Sequence, residues 1–311
     1  MEYITLKNTD LQVSRVCMGG CPMGGHGWCN VQEQELLDAV NTALDNGINF
    51  FDTADTYGLG KSEETLSKAL GNRRHEAVIA TKFGVRVGNQ GTFYDNSPQW
   101  IRTACENSLR RLNTDYIDLY QIHYRDGKTP LPEVMGTLED LQNEGKIRHI
   151  GISNLTRKDL PELLPYAGKF ATLQNQYSLA TRDLEADILE LANTLNLTPT
   201  TWGSLGQGVL TGKYDRSAAF GTDDRRSRQI YVNFHGEKLE KNLKIVDVVQ
   251  GIAARYNKPV SAVAVRFILD QLPGSVALCG AKRPTQILGT AAALGWYLEP
   301  TDLQALVEIS R

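Results

Sequence analysis

Short apolar runs alternate along this chain with longer segments whose apolar residues recur at helical spacing. The short runs predict strands at 13–19, 48–52, 77–82, 116–123, 148–153, 171–176, 197–202 and 275–280. Between the first two, Leu36, Leu37, Val40, Ala43 and Leu44 share one helical face within 32–46, and similar patterns predict helices at 62–70, 102–112, 132–144, 158–164 and 185–195. Runs such as Val78-Ile79-Ala80 and Ile117-Asp118-Leu119-Tyr120 are apolar on both faces or nearly so, as a parallel sheet covered by helices requires. Eight strands alternating with helices predict an α/β fold, a (β/α)8 TIM barrel, as a single domain over 1–311.

Two stretches break the rhythm. Residues 84–97 are polar and rich in Gly and Asn, and 213–238 carries Asp223-Asp224-Arg225-Arg226 with little apolar content. Long structureless loops inside a compact domain are usually functional or disordered. Further helices are predicted at 239–256, 261–272 and 301–310, the first two separated by the stop signal Asn257-Lys258-Pro259.

Composition narrows the function. The chain has 311 residues, with Lys+Arg 33 against Asp+Glu 36, a formal charge of −3 and a pI near 6.0. That balance lacks the basic footprint of a nucleic-acid binder, and no apolar run approaches the roughly 20 residues of a membrane span. The expectation is a soluble, cytoplasmic protein with a small-molecule substrate and neither a nucleic-acid nor a membrane partner. Such a barrel covers its own sheet, so a monomer is possible and an oligomer stays open. The five cysteines, Cys17, Cys21, Cys29, Cys105 and Cys279, form no CxxC pair and read as packed, reduced thiols. Three of them lie near His26, which keeps a metal alternative open, although no metal is expected. Gly60-Lys61-Ser62 and Gly212-Lys213 fail as P-loops, because the earlier glycine that motif needs is Asp55 in one and Gln207 in the other.

Working residues of a barrel sit at the C-terminal ends of its strands. Strand 48–52 ends in Asp52, strand 77–82 in Lys82 and strand 116–123 in His123, while Tyr57 follows five residues after Asp52. A phenol is a weak acid at neutral pH, so proton donation by Tyr57 calls for a neighbouring cation. Lys82 supplies one, Asp52 holds it, and His123 can orient a carbonyl oxygen. The set suits carbonyl reduction. Taken singly, each of these residues is more often a structural hydrogen-bond partner, and an Asp–Lys pair alone is commonly an ion pair in a barrel mouth.

The stretches Phe50-Phe51-Asp52-Thr53-Ala54-Asp55-Thr56-Tyr57-Gly58, Ala80-Thr81-Lys82, Asp115-Tyr116-Ile117-Asp118-Leu119-Tyr120-Gln121-Ile122-His123 and Gly151-Ile152-Ser153-Asn154 closely resemble the aldo-keto reductases. The likeness runs in one order from about Leu6 to the C-terminus, and 213–238 is similar to the bacterial and plant aldehyde reductase branch. It implies NADPH-dependent reduction of aldehydes or ketones, with Tyr57 as the acid, Asp52 and Lys82 tuning it, and His123 placing the carbonyl. It further implies that Ser153, Asn154 and Gln174 hold the nicotinamide carboxamide, while Trp202 stacks on the ring where most relatives have tyrosine. The segment Gly203-Ser204-Leu205-Gly206-Gln207-Gly208, with Lys213, resembles the pyrophosphate loop, and Gly20-Cys21 the turn against the coenzyme. Gly280, Lys282, Arg283, Gln286 and Thr290 match the adenosine end, where two adjacent cations favour a 2′-phosphate and hence NADPH over NADH. Here Gln286 stands for a common arginine and Thr290 for a common asparagine. An ordinary alternative for Lys282-Arg283 is a solvated basic pair opening a helix. Met23, Trp28 and Tyr124 are the expected substrate contacts together with Tyr57 and His123, and Trp28 is equally readable as a buried plug. Oxidation of a sugar or polyol, an NADPH-sensing subunit and a metal-dependent hydrolase using Asp52 and His123 stay open beside the reductase.

Overall fold

The computed structural model describes residues 1–28 and 31–311, so Cys29 lies outside the described residues. Among these, eight strands close into a parallel barrel: β3 (Val16–Gly19), β4 (Phe50–Asp52), β5 (Val78–Phe83), β8 (Ile117–Ile122), β9 (Ile147–Ser153), β10 (Phe170–Gln176), β11 (Thr198–Trp202) and β12 (Val276–Gly280). Each pairs with the next in chain order, and β12 closes on β3 through Ala277↔Val16 and Cys279↔Met18. The connecting helices are α1 (Glu33–Asp45), α2 (Lys61–Leu70), α3 (Pro98–Leu112), α4 (Leu131–Asn143), α5 (Leu160–Leu163), α6 (Glu185–Leu195), α8 (Val260–Gln271) and α9 (Pro284–Ala291). Two more, α7 (Gly236–Tyr256) and α10 (Pro300–Ile309), lie outside the simple alternation. Asn113, Asn196 and Asn257 end α3, α6 and α7 in the left-handed conformation that asparagine tolerates. No helix among the described residues is long and apolar enough to cross a membrane.

The period of two within each strand divides the core into two layers. Val16, Met18, Phe51, Ile79, Tyr120 and Ile122 face the helices and join the larger apolar cluster. Cys17, Phe50, Ala80, Leu119 and Leu278 face the barrel axis, where they meet Leu6, Leu11 and Val13. Those last three belong to an antiparallel hairpin, β1 (Tyr3–Thr5) with β2 (Gln12–Ser14), that packs against the inward-facing layer where β3 begins. The predicted strand 13–19 is therefore two strands. Arg15 divides them, its Nε donating to the Ser275 carbonyl at 3.1 Å and its Nη2 to the Leu269 carbonyl at 2.9 Å.

The same alternation carries polar residues inward near the C-terminal ends of the strands. Asp52 lies two residues after Phe50, Lys82 two after Ala80, and Gln121 two after Leu119. Gly151 makes room for them: a Cβ there would stand 2.5 Å from Thr172 Oγ1 and 2.8 Å from Gln121 Cγ. Segment 84–97, expected as a loop, contains the hairpin β6 (Val85–Gly88) with β7 (Gly91–Tyr94). The predicted helix 158–164 shrinks to the four residues of α5 flanked by 3-10 turns, because Pro161 and Pro165 cannot sustain it.

Candidate active site

At the centre lies a buried ion pair. Lys82 Nζ donates to Asp52 Oδ1 at 2.5 Å, to the Thr53 carbonyl at 2.8 Å and to the Tyr57 hydroxyl at 3.4 Å, which uses its three protons. Asp52 Oδ2 accepts from Gln174 Nε2 at 2.7 Å and Gln121 Nε2 at 3.1 Å. Each partner is thus saturated, as a charge fully withdrawn from water requires. Behind Lys82, Glu63 accepts from Thr81 Oγ1 and Arg111 Nε, each at 2.6 Å.

Tyr57 faces a cavity of about 850 Å³ beside His123, their ring centroids 6.0 Å apart and edge to face. Burial first, then Cys21 and Asp52, push the Tyr57 phenol well above its ordinary range, so it keeps its proton. Burial first, then the charge of Lys82, hold the His123 imidazole well below its ordinary range, so it stays neutral near pH 7. Its Nδ1 is buried and has no partner among the described residues. Tyr124 stacks on His123 with centroids 5.1 Å apart, and Tyr94 of β7 stacks on Tyr124 at 5.0 Å. An aromatic ladder therefore runs from the hairpin down to the ion pair.

Asn154 follows β9 in the left-handed conformation, at φ 57. This strained turn lets its Nδ2 reach the His123 carbonyl at 3.0 Å, while its Oδ1 accepts from Trp202 Nε1 at 3.0 Å and fixes the indole plane. Ser153 Oγ donates to the Gln174 carbonyl at 2.8 Å. After β11, Gly203, Gly206 and Gly208 take φ of 70, 55 and 105, and Gln207 takes 56. Positive φ at three glycines permits the backbone curl that presents N–H groups to an anion. Gly203, Ser204, Leu205, Gln207, Gly208 and Lys213 line the cavity. At its far end lie Gly280, Lys282, Arg283, Gln286 and Thr290. Arg283 Nε bonds both Glu35 carboxylate oxygens, at 2.9 and 3.1 Å, and Lys282 Nζ donates to the Trp28 carbonyl. These features fit a nicotinamide dinucleotide laid from Trp202 to α9.

Of the residues singled out in the sequence, Gly20, Cys21, Asp52, Tyr57, His123, Tyr124, Ser153, Asn154, Gln174 and Trp202 all reach this cavity, and Lys82 lies beneath it. Trp28 also lines it, resolving the choice between wall and plug. Met23 is corrected: it sits in a 3-10 turn, Cys21–Gly24, and packs into the apolar core rather than the cavity wall. Gly206 is buried behind the loop and does not line the cavity either. Gln121, Tyr214 and Tyr94 were not singled out in the sequence, and Arg225 and Arg226 only as members of the polar segment 213–238. Strand alternation alone would have found Gln121, two residues before His123 on the same inward face. Among the described residues no cluster of His, Cys, Asp and Glu could hold a metal, and Cys17, Cys21, Cys105 and Cys279 are free thiols.

The aldo/keto reductase family model matches residues 15–311. The chain belongs to that family. It is accordingly an oxidoreductase. A glycerol dehydrogenase from Gluconobacter oxydans superposes with a TM-score of 0.89 at 37% identity, covering 99% of this chain and 94% of that one. An aldo-keto reductase from Klebsiella pneumoniae in complex with NADPH superposes at 0.76 and 28% identity, covering 100% and 96%. The NADH-specific methylglyoxal reductase of Escherichia coli is 31% identical over 100% of this chain and 98% of its own length.

Asp55 offers a test of the site's electrostatics. Burial first, then nearby Glu63, raise its carboxyl from 3.8 to about 8, against Arg111, and its Oδ1 has no partner among the described residues. A folded pKa above the unfolded one means that the stability the protonated acid contributes is full below about pH 4 and is lost as pH rises through about 8. Urea denaturation of the protein and of Asp55→Asn across pH should show the wild type losing stability relative to the variant between those limits, then a constant gap. Parallel curves throughout would contradict the assignment.

Proposed function

We propose that this aldo-keto reductase reduces aldehydes or ketones to alcohols with NADPH, Tyr57 donating the proton. One observation carries the reading: a phenol facing the cavity, with a saturated Lys–Asp pair 3.4 Å below it and a neutral imidazole beside it. When bound, a reduced nicotinamide supplies the hydride that the carbonyl carbon accepts. The chain's own residues do the rest. The unpartnered His123 ring orients the carbonyl oxygen, and Tyr57 transfers its proton as the alkoxide develops. The resulting phenolate lies beside the Lys82 ammonium, whose attraction is strong in so dry a place. Asp52, Gln121 and Gln174 keep that ammonium from swinging away.

Trp202, pinned by Asn154, offers a flat face on which a nicotinamide ring can stack. The backbone of 203–208 and Lys213 meet the pyrophosphate, and Lys282 and Arg283 the 2′-phosphate. Lys282 and Arg283 bring two adjacent cations to that end of the cavity, which favours NADPH. The NADPH complex of the Klebsiella relative supports this choice, whereas the Escherichia coli relative is named for NADH. Alcohol oxidation, the direction in the name of the Gluconobacter relative, uses the same groups once Tyr57 is ionised. Burial opposes that ionisation and holds Tyr57 in the protonated form that reduction uses.

Tyr57→Phe should abolish NADPH consumption on a panel of small and aromatic aldehydes, a loss of about a hundredfold or more. Its coenzyme binding, read by fluorescence titration, should stay close to wild type. Substantial residual turnover would move the acid role to another group. Replacing Lys282 and Arg283 together with alanine should weaken NADPH by about tenfold more than NADH, and equal weakening would separate this pair from the 2′-phosphate.

A further inference from the structure

Arg225 and Arg226 are adjacent in the chain and both line the cavity, yet their guanidinium groups serve different sides of it. Arg226 is paired: Nε donates to Asp224 Oδ1 at 2.9 Å, Nη2 to Oδ2 at 2.5 Å and Nη1 to the Tyr214 hydroxyl at 2.7 Å. It lies on the coenzyme side, since a Cβ built on Gly208 of the glycine loop would stand 3.7 Å from its Nη1. Arg225 turns towards the reacting groups. Its Nη1 donates to Cys21 Sγ at 3.6 Å and its Nη2 to the His26 carbonyl at 2.6 Å, and its charge is felt at Tyr57, opposing burial there.

The side chain is held in place. Gly27, at φ 73, lets it lie against the backbone, where a Cβ would come 3.0 Å from Nε. The Trp28 ring centroid is 5.0 Å from its Cζ. What it lacks is an anion. Among the described residues no carboxylate pairs with Arg225, and its Nε is buried without a partner. A half-buried guanidinium without a counterion is unfavourable, and its planar fork matches a carboxylate. We propose that Arg225 recognises a carboxylate on the substrate, so that the preferred substrates are aldehydes or ketones carrying a carboxylate a few carbons from the reacting carbonyl. This inference rests on the reductase reading above.

The test is the ratio of kcat/KM for 4-oxobutanoate to that for butanal, measured with saturating coenzyme in the wild type, Arg225→Gln and Arg225→Lys. A ratio is insensitive to any effect of the charge on Tyr57, which both aldehydes feel alike. The expected ratio is about ten or more in the wild type, about one in Arg225→Gln, and intermediate in Arg225→Lys, with the change mainly in KM for the acid. Butanoate should inhibit the wild type competitively against butanal, and Arg225→Gln about tenfold more weakly. A wild-type ratio near one, or a ratio unchanged in Arg225→Gln, overturns the proposal and leaves the reductase standing. An unchanged ratio with weakened coenzyme binding assigns Arg225 to the pyrophosphate instead. Absence of turnover on both aldehydes overturns the proposal together with the reductase reading.

Discussion

The ion pair of Asp52 and Lys82 inside the barrel is the constraint on which the rest of the site depends. Both charges are buried, and removing either partner would strand the other with little water to solvate it. Satisfying both therefore dictates what surrounds them. Gln121 and Gln174 occupy the second oxygen of Asp52, the Thr53 carbonyl takes one proton of Lys82, and the Tyr57 hydroxyl takes the last. A buried pair of this kind adds little net stability, but it fixes one arrangement of four strands and aims a cation at a phenol.

Around that floor the mouth divides by function. One wall, from Trp202 through the glycine loop to α9, offers an aromatic face, curled backbone and basic residues in the order a dinucleotide presents ring, pyrophosphate and adenosine. The other wall is aromatic, built from Tyr124 and Tyr94 over His123. Segment 213–238 spans the two. Arg225 N donates to the Gly27 carbonyl at 3.0 Å, and Trp28 bridges to Asp224, so the N-terminal turn and this segment lie together across the opening.

The barrel was legible because its strands are buried on both faces, a pattern that β5 and β8 show plainly. The misses have local causes. Arg15 interrupts an otherwise apolar run and divides β2 from β3, while the hairpin of β6 and β7 hides its alternation among exposed residues. Helix α9, read only as a helix that Lys282-Arg283 would open, received no bounds because eight residues with a glycine inside give little periodicity. In the site, Asp52, Lys82 and His123 were readable from their positions at strand ends, where a barrel exposes side chains. Met23 was misplaced because a loop residue next to the site can still turn into the core, as Pro22 and the 3-10 turn make it do. The two arginines were unreadable as individuals, since which way neighbours in a polar segment point is settled by the side chains of Asp224 and Tyr214 and by Gly27, about two hundred residues away in sequence.

The central claim is that a neutral imidazole and a protonated phenol coexist over one buried ion pair, with the phenol as the acid. The pH dependence of kcat/KM for aldehyde reduction tests it most directly. The account predicts a rate that is level from about pH 6 to pH 8 and falls only under alkaline conditions, as Tyr57 ionises. A fall through about pH 6.5 that disappears in His123→Gln would show that an imidazolium delivers the proton, and would contradict it.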